Sequence, residues 1–139
     1  LVVTCERLRV MAIFSPKMAM SMVDELALKT HKEVVFKVLR AVVTRSPVDT
    51  GTYKSNHKVN ETSYTKREGS GDKEGNSSQA AQEALDAGNS QIAKIQTGYQ
   101  SSTVSNSVPY AGVIEHGSPN RPGLGVYRLA KKSVEDTLT

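Results

Sequence analysis

The sequence predicts an α+β fold, in which a long N-terminal helix and a C-terminal helix frame two strand segments and a helix-containing insertion. Three observations predict it. Apolar residues recur at helical spacing from Leu28 to Val42, and again from Tyr127 to Leu138. Between them lie two stretches rich in Tyr, Val, Thr and Ser, separated by the Gly/Ser-rich run "GSGDKEGNSS". The 139 residues suit one domain. The hydrophobic fraction is 37% and Trp is absent, below the ~45–50% of ordinary globular chains. The core is therefore expected to be modest, with neighbours in an assembly burying further apolar surface.

Residues 1–15, "LVVTCERLRVMAIFS", read as a loosely held, flexible arm, with Met11 an alternative start to Leu1. The stretch is too short and too charged for a signal peptide. No apolar run approaches the ~20 residues of a membrane span, so no membrane partner is expected. The single Cys5 fits a reducing compartment, and synthesis in the cytoplasm follows as the expectation. Residues 16–139 are read as the single folded domain.

The first helix spans Pro16 to Thr44. Ser15 is placed to cap it and Pro16 suits its first turn. Leu28, His31, Val35, Val38, Leu39 and Val42 share one stripe. Glu25–Lys29 and Glu33–Lys37 are spaced as favourable i,i+4 pairs. Pro47 forces Ser46 out of the helical region and ends the element. "TYKSNHKVNETSYTKRE" (52–68) is read as a strand or hairpin arm with one wet face. Residues 66–78 are expected to be a flexible loop. The Ala-rich stretch after it suggests a helix stopping near Gly88–Asn89 and resuming toward Ile95. Gly98–Val108 reads as a second strand, and Pro109 opens a short helical turn that Gly117 ends. Tyr127, Ala130, Val134 and Leu138 form the stripe of the last helix.

Charge is unevenly placed. Residues 1–45 hold 8 Lys/Arg against 4 Asp/Glu, whereas residues 46–139 hold 10 of each. Lys29, Lys32, Lys37 and Arg40 on the first helix are thus the candidates for facing DNA or an acidic partner, in a sequence-blind electrostatic contact. The plain alternative is a solvated helix face.

"SPVDTGTY" (46–53) contains the Asp-Thr-Gly of aspartic proteases. Those enzymes need two aspartates sharing a proton within an all-β fold, and here the tripeptide follows a helix. Pro47, Asp49, Thr50 and Gly51 instead compose a corner: a fixed φ, two side chains that bond local backbone, and a glycine for a left-handed position. Asp49 is expected to bond backbone or a neighbouring turn. His31, His57 and His116 show no metal-ligand spacing, and His31 sits on the apolar stripe as a core or interface residue. No Gly-x-Ser-x-Gly elbow or phosphate loop is present. No catalytic, metal or cofactor site is expected, and the chain is read as a non-enzyme.

Three separated pieces then align with a known family. They are the long helix, "SPVDTGTYKSNHKV", and "VSNSVPYAGVIEHGSPNRPGLGVYRLA". The chain resembles the neck or tail-completion proteins of long-tailed bacteriophages. These carry a (T/S)-P-V-D-T-G-x-(L/Y) turn after a helix, and later (S/N)-N-x-x-x-Y-A-x-x-(I/L)-E-(H/Y/F)-G. The matching residues are Pro47, Val48, Asp49, Thr50 and Gly51, then Asn106, Tyr110, Ala111, Ile114, Glu115, His116 and Gly117. The resemblance covers roughly residues 16–135. It implies helices packed on a small antiparallel sheet and a virion protein of the head–tail junction. It also implies a homo-oligomeric ring of six copies, joining head-completion or connector proteins to the tail terminator or tube, with DNA passing through the lumen. Tyr110 is expected to anchor, Glu115 to cap or pair, and Gly117 to turn the chain.

Overall fold

A computed structural model describes residues 2–6, 9–13 and 15–138. The elements run β1 (Val2–Glu6), β2 (Arg9–Ile13), α1 (Pro16–Arg45), α2 (Thr52–Ser55), β3 (His57–Val59) and α3 (Lys73–Ala93). They continue as β4 (Val104–Asn106), α4 (Ala111–His116), β5 (Gly117–Ser118), β6 (Arg121–Pro122) and α5 (Val126–Leu138). The strands pair in three two-stranded antiparallel sheets, β1–β2, β3–β4 and β5–β6. The fold is α+β, with long N- and C-terminal helices and small antiparallel sheets.

α1 is the spine. Ser15 caps it by accepting from the Met18 amide, Pro16 opens it, and Ser46 closes it in the extended conformation that Pro47 imposes. Val35, Leu39 and Val43 recur every four residues and pack with Val59, Ala84, Ile92 and Ile95. Val42 faces the other side, toward Tyr53, Val108, Val126 and Ala130. α1 is therefore clasped between α3 with β3 on one side and α5 on the other.

Several expectations are corrected. The stretch read as an arm, 1–15, is refined and not overturned: it contains a hairpin, with Val2 opposite Ile13 and Cys5 opposite Val10, and its β-branched residues at 2, 3, 4, 10 and 13 suit extended backbone. Leu1, residues 7, 8 and 14, and Thr139 lie outside the described residues. The strand read over 52–68 shrinks to three residues, because Gly51 (φ 88°) starts the helical turn α2 and Asn60 (φ 56°) breaks the ladder. Its partner shrinks from Gly98–Val108 to β4, in the register His57–Asn106, Lys58–Ser105 and Val59–Val104.

The loop read over 66–78 ends early. Asp72 accepts from the Glu74 amide and starts α3 at Lys73. α3 also runs straight through Gly88 instead of stopping there. A Cβ at Gly88 would collide with Leu39, so the glycine is a packing notch and not a helix end. Ala80, Ala84, Gly88 and Ile92 form one buried stripe whose small members let α3 approach α1 closely. The Glu25–Lys29 and Glu33–Lys37 pairs are absent from the ion pairs of the described residues, which are Lys58–Glu61, Arg67–Glu83 and Lys131–Glu135.

Candidate functional site

The end of α1 hands the chain into a corner where most of the polar structure of the molecule is concentrated. Ser46 is buried, and its hydroxyl donates to the Val42 carbonyl at 2.7 Å. That bond uses its only proton, so the 2.5 Å contact with His57 Nε2 must be a donation from the imidazole. The other ring nitrogen, Nδ1, is then an acceptor and takes the Tyr127 hydroxyl at 2.6 Å. Tyr53 meets the same imidazole edge-on, with ring centroids 5.0 Å apart.

His57 is fully buried, and burial together with the nearby Lys54 charge lowers its pKa to about 3. Burial raises the Tyr127 phenol well above its usual value, with Tyr53 and Glu115 adding to the shift. The imidazole is thus a neutral peg joining α1, β3 and α5. Ser46 and His57 are the atoms of a nucleophile–base pair, but the serine proton points at backbone and the ring has no exposed surface. The sequence reading missed this joint, since His57 looked like one residue of a polar strand. The signal available was Pro47, which had to take Ser46 out of the helix into extended backbone; the packing around His57 turns its hydroxyl inward.

Beyond Ser46 the corner is stapled by carboxamides and one guanidinium. Asn76 Nδ2 donates to the Asp49 and Ser70 carbonyls. Asn56 donates to the Thr52 and Thr65 carbonyls and accepts from the Thr65 amide. Arg67 reaches the Thr50 carbonyl, Gln79 and Glu83. Gly51 sits at φ 88° with Ala80 and Asn76 pressed against it, so its left-handed role holds. Asp49 differs from expectation: its carbonyl is held, whereas its exposed carboxylate makes no hydrogen bond among the described residues.

The second motif lands on the same corner. Asn106 donates to the Tyr53 carbonyl at 2.7 Å and accepts from the Val108 amide. Tyr110 shares a cleft with Thr52 and Tyr53, and Ala111 and Ile114 pack on the cluster around Val42 and Tyr53. Pro47, Val48, Asp49, Thr50, Gly51, Thr52, Tyr53, Tyr110 and Ile114 line one cleft of about 190 Å³. Glu115 accepts from the Tyr127 and Arg128 amides, capping α5 with its carboxylate. Gly117 (φ 86°) is pressed against Arg121, Pro122 and Gly123, a position no side chain fits. Pro47, Asp49, Thr50, Gly51, Asn106, Tyr110, Ala111 and Glu115 thus border clefts shared with Tyr53, whereas Gly117 turns the chain beyond α4.

The four basic residues do not join them. Lys29, Lys37 and Arg40 are exposed on α1 and Lys32 is half-buried. Lys37 and Arg40 line a groove of about 350 Å³ between α1 and α5, with Arg45, Ser133 and Thr137. His31 bonds Ser102 Oγ at 2.7 Å and ties α1 to the segment before β4. Among the described residues no three His, Cys, Asp or Glu side chains gather as a metal site, and no helix is long and apolar enough to cross a membrane. No protein-family model matches this chain, and neither a curated protein nor a solved structure matches it.

Proposed function

We propose that this chain is a structural subunit of the head–tail junction of a long-tailed bacteriophage, a neck or tail-completion protein that does no chemistry of its own. In this reading six copies form a ring between the head connector and the tail terminator or tube, and DNA passes through the lumen. The observation that carries it is the convergence of the two resembling motifs. Asp49 and Tyr110 stand 61 positions apart in the chain, yet both border one cleft. Two motifs matched by chance have no reason to fold onto each other. The exposed apolar start of α1, with Met20, Met22, Val23 and Leu26 open to solvent, supports a subunit that completes its burial against neighbours.

Light scattering on a concentration series, with negative-stain imaging of the largest species, tests this reading. Closed rings at multiples of the 15.0 kDa chain are expected. A monomer at every concentration, with connector or tail proteins added as well, would overturn it. The groove lined by Lys37, Arg40 and Arg45 favours a second reading, a sequence-blind DNA contact. Retention on duplex DNA that fades steeply with salt, without any assembly, would make that reading the better one.

A further inference from the structure

α1 has 30 residues, and at 1.5 Å per residue it is about 45 Å long. Its buried residues begin only at Val35. Nearer the start, Met20 is 67% exposed and Leu26 64%, and Met22 and Val23 are similarly open. In "MAMSMVDELA" (18–27) seven of ten residues are apolar: Met18, Ala19, Met20, Met22, Val23, Leu26 and Ala27. These seven fall on one broad face of the helix, with Ser21, Asp24 and Glu25 on the other, and an apolar face that wide left in solvent belongs against something. Tyr99, also exposed, interacts with Asp24 and widens the patch.

A second exposed apolar patch lies at the other end of the molecule. Val113 is 55% exposed, and Tyr110 and Leu124 are open as well. Leu124 is fixed beside α4 by its amide bond to the Ile114 carbonyl at 2.8 Å. This patch adjoins the corner where α1 ends. Val23 and Arg45 are separated by roughly 33 Å of helix, so the two patches cannot meet within one copy. Their rims are complementary. The start of α1 carries Asp24 and Glu25 against Lys17, whereas exposed Arg121 and Arg128 lie beside Leu124, with Glu115 spent on capping α5 and Asp49 an opposing charge on the Tyr110 side.

We propose that the N-terminal half of α1 of one copy packs on the Tyr110–Val113–Leu124 patch of the next. The inference rests on the ring reading and names its contact. Because different surfaces meet, the interface is heterologous and propagates head to tail until it closes. Methionines suit such a contact, since they adapt to the surface they meet.

The test places Val23→Cys and Val113→Cys together in a Cys5→Ser chain and treats it with a short bismaleimide, which tolerates a few ångströms of register. Both valines are exposed, so folding is expected to be unchanged. Light scattering is run on the same sample. A ladder at multiples of 15.0 kDa from the double variant, with neither single variant cross-linking, is the expected result. Dimers from Val23→Cys alone would mean a two-fold arm-to-arm contact and would overturn the pairing. An oligomer that gives no cross-link would also overturn it, while leaving the ring reading intact. A monomer at every concentration would remove both.

Discussion

The two halves of α1 have opposite fates. From Val35 to Val43 the helix is amphipathic in the ordinary sense, with Leu39 and Val42 fully buried between α3 and α5. From Met18 to Ala27 it carries a broader apolar face, opposite Ser21, Asp24 and Glu25, and most of those apolar side chains face solvent. One half is held by its own chain, and the other offers surface to something else. The comparison teaches that exposure follows what is available to pack. The core of this chain is too small to cover both halves, and the leftover surface is where an assembly contact belongs.

The strongest way to break the comparison is to make one substitution in both halves. Leu39→Ala removes a side chain seated in the notch at Gly88, and is expected to destabilise by about 2–5 kcal/mol in chemical denaturation. Leu26→Ala is expected to stay within about 0.5 kcal/mol in the isolated chain. Equal losses would mean that the N-terminal half is part of the core.

Acid sharpens the account of the buried end. The unfolded imidazole titrates near its ordinary 6.5, whereas folded His57 is held at about 3. Between those values the unfolded chain binds a proton that the fold refuses. The contribution of His57 is therefore intact above pH 6.5 and is lost progressively as pH falls toward 3, by about 1.4 kcal/mol per unit. Denaturation midpoints from pH 7.5 to 5 check it, and a midpoint that does not fall over that range would remove the neutral peg.

Smaller effects follow around the same joint. Glu115→Ala strips two amides of α5 of their acceptor and is expected to lower stability by about 0.5–2 kcal/mol, read as a lower thermal midpoint. Tyr53→Phe is expected to be neutral or up to about 1 kcal/mol stabilising. The Tyr53 hydroxyl is buried without a hydrogen-bond partner among the described residues, and burial with the Glu115 charge pushes its pKa to about 12.

Much of this organisation was legible in the sequence, and the reasons differ by region. α1 and α5 announced themselves through apolar stripes and through Ser15, Pro16 and Pro47, which act locally. Gly51 and Gly117 were legible as turns because their left-handed φ is a local demand. Gly88 was misread for the same reason, since a glycine in a helix looks like a stop until the side chain filling its place, Leu39, is known. The strand around His57 was overestimated because β-compatible residues do not reveal whether a partner strand exists. The joint of Ser46, His57 and Tyr127 depends on contacts 11 and 70 residues apart, which no local pattern encodes. The convergence of "SPVDTG" with "PYAGVIEHG" lay outside local reading too, although each motif could be seen alone.

Amide hydrogen exchange along α1, measured at two protein concentrations, tests the central claim most directly. Residues 35–45 are expected to exchange slowly at both, because their protection comes from the core of their own chain. Residues 18–27 are expected to exchange fast in the dilute sample and to become protected in the concentrated one, where copies meet. Protection of 18–27 that is the same at both concentrations would contradict the account.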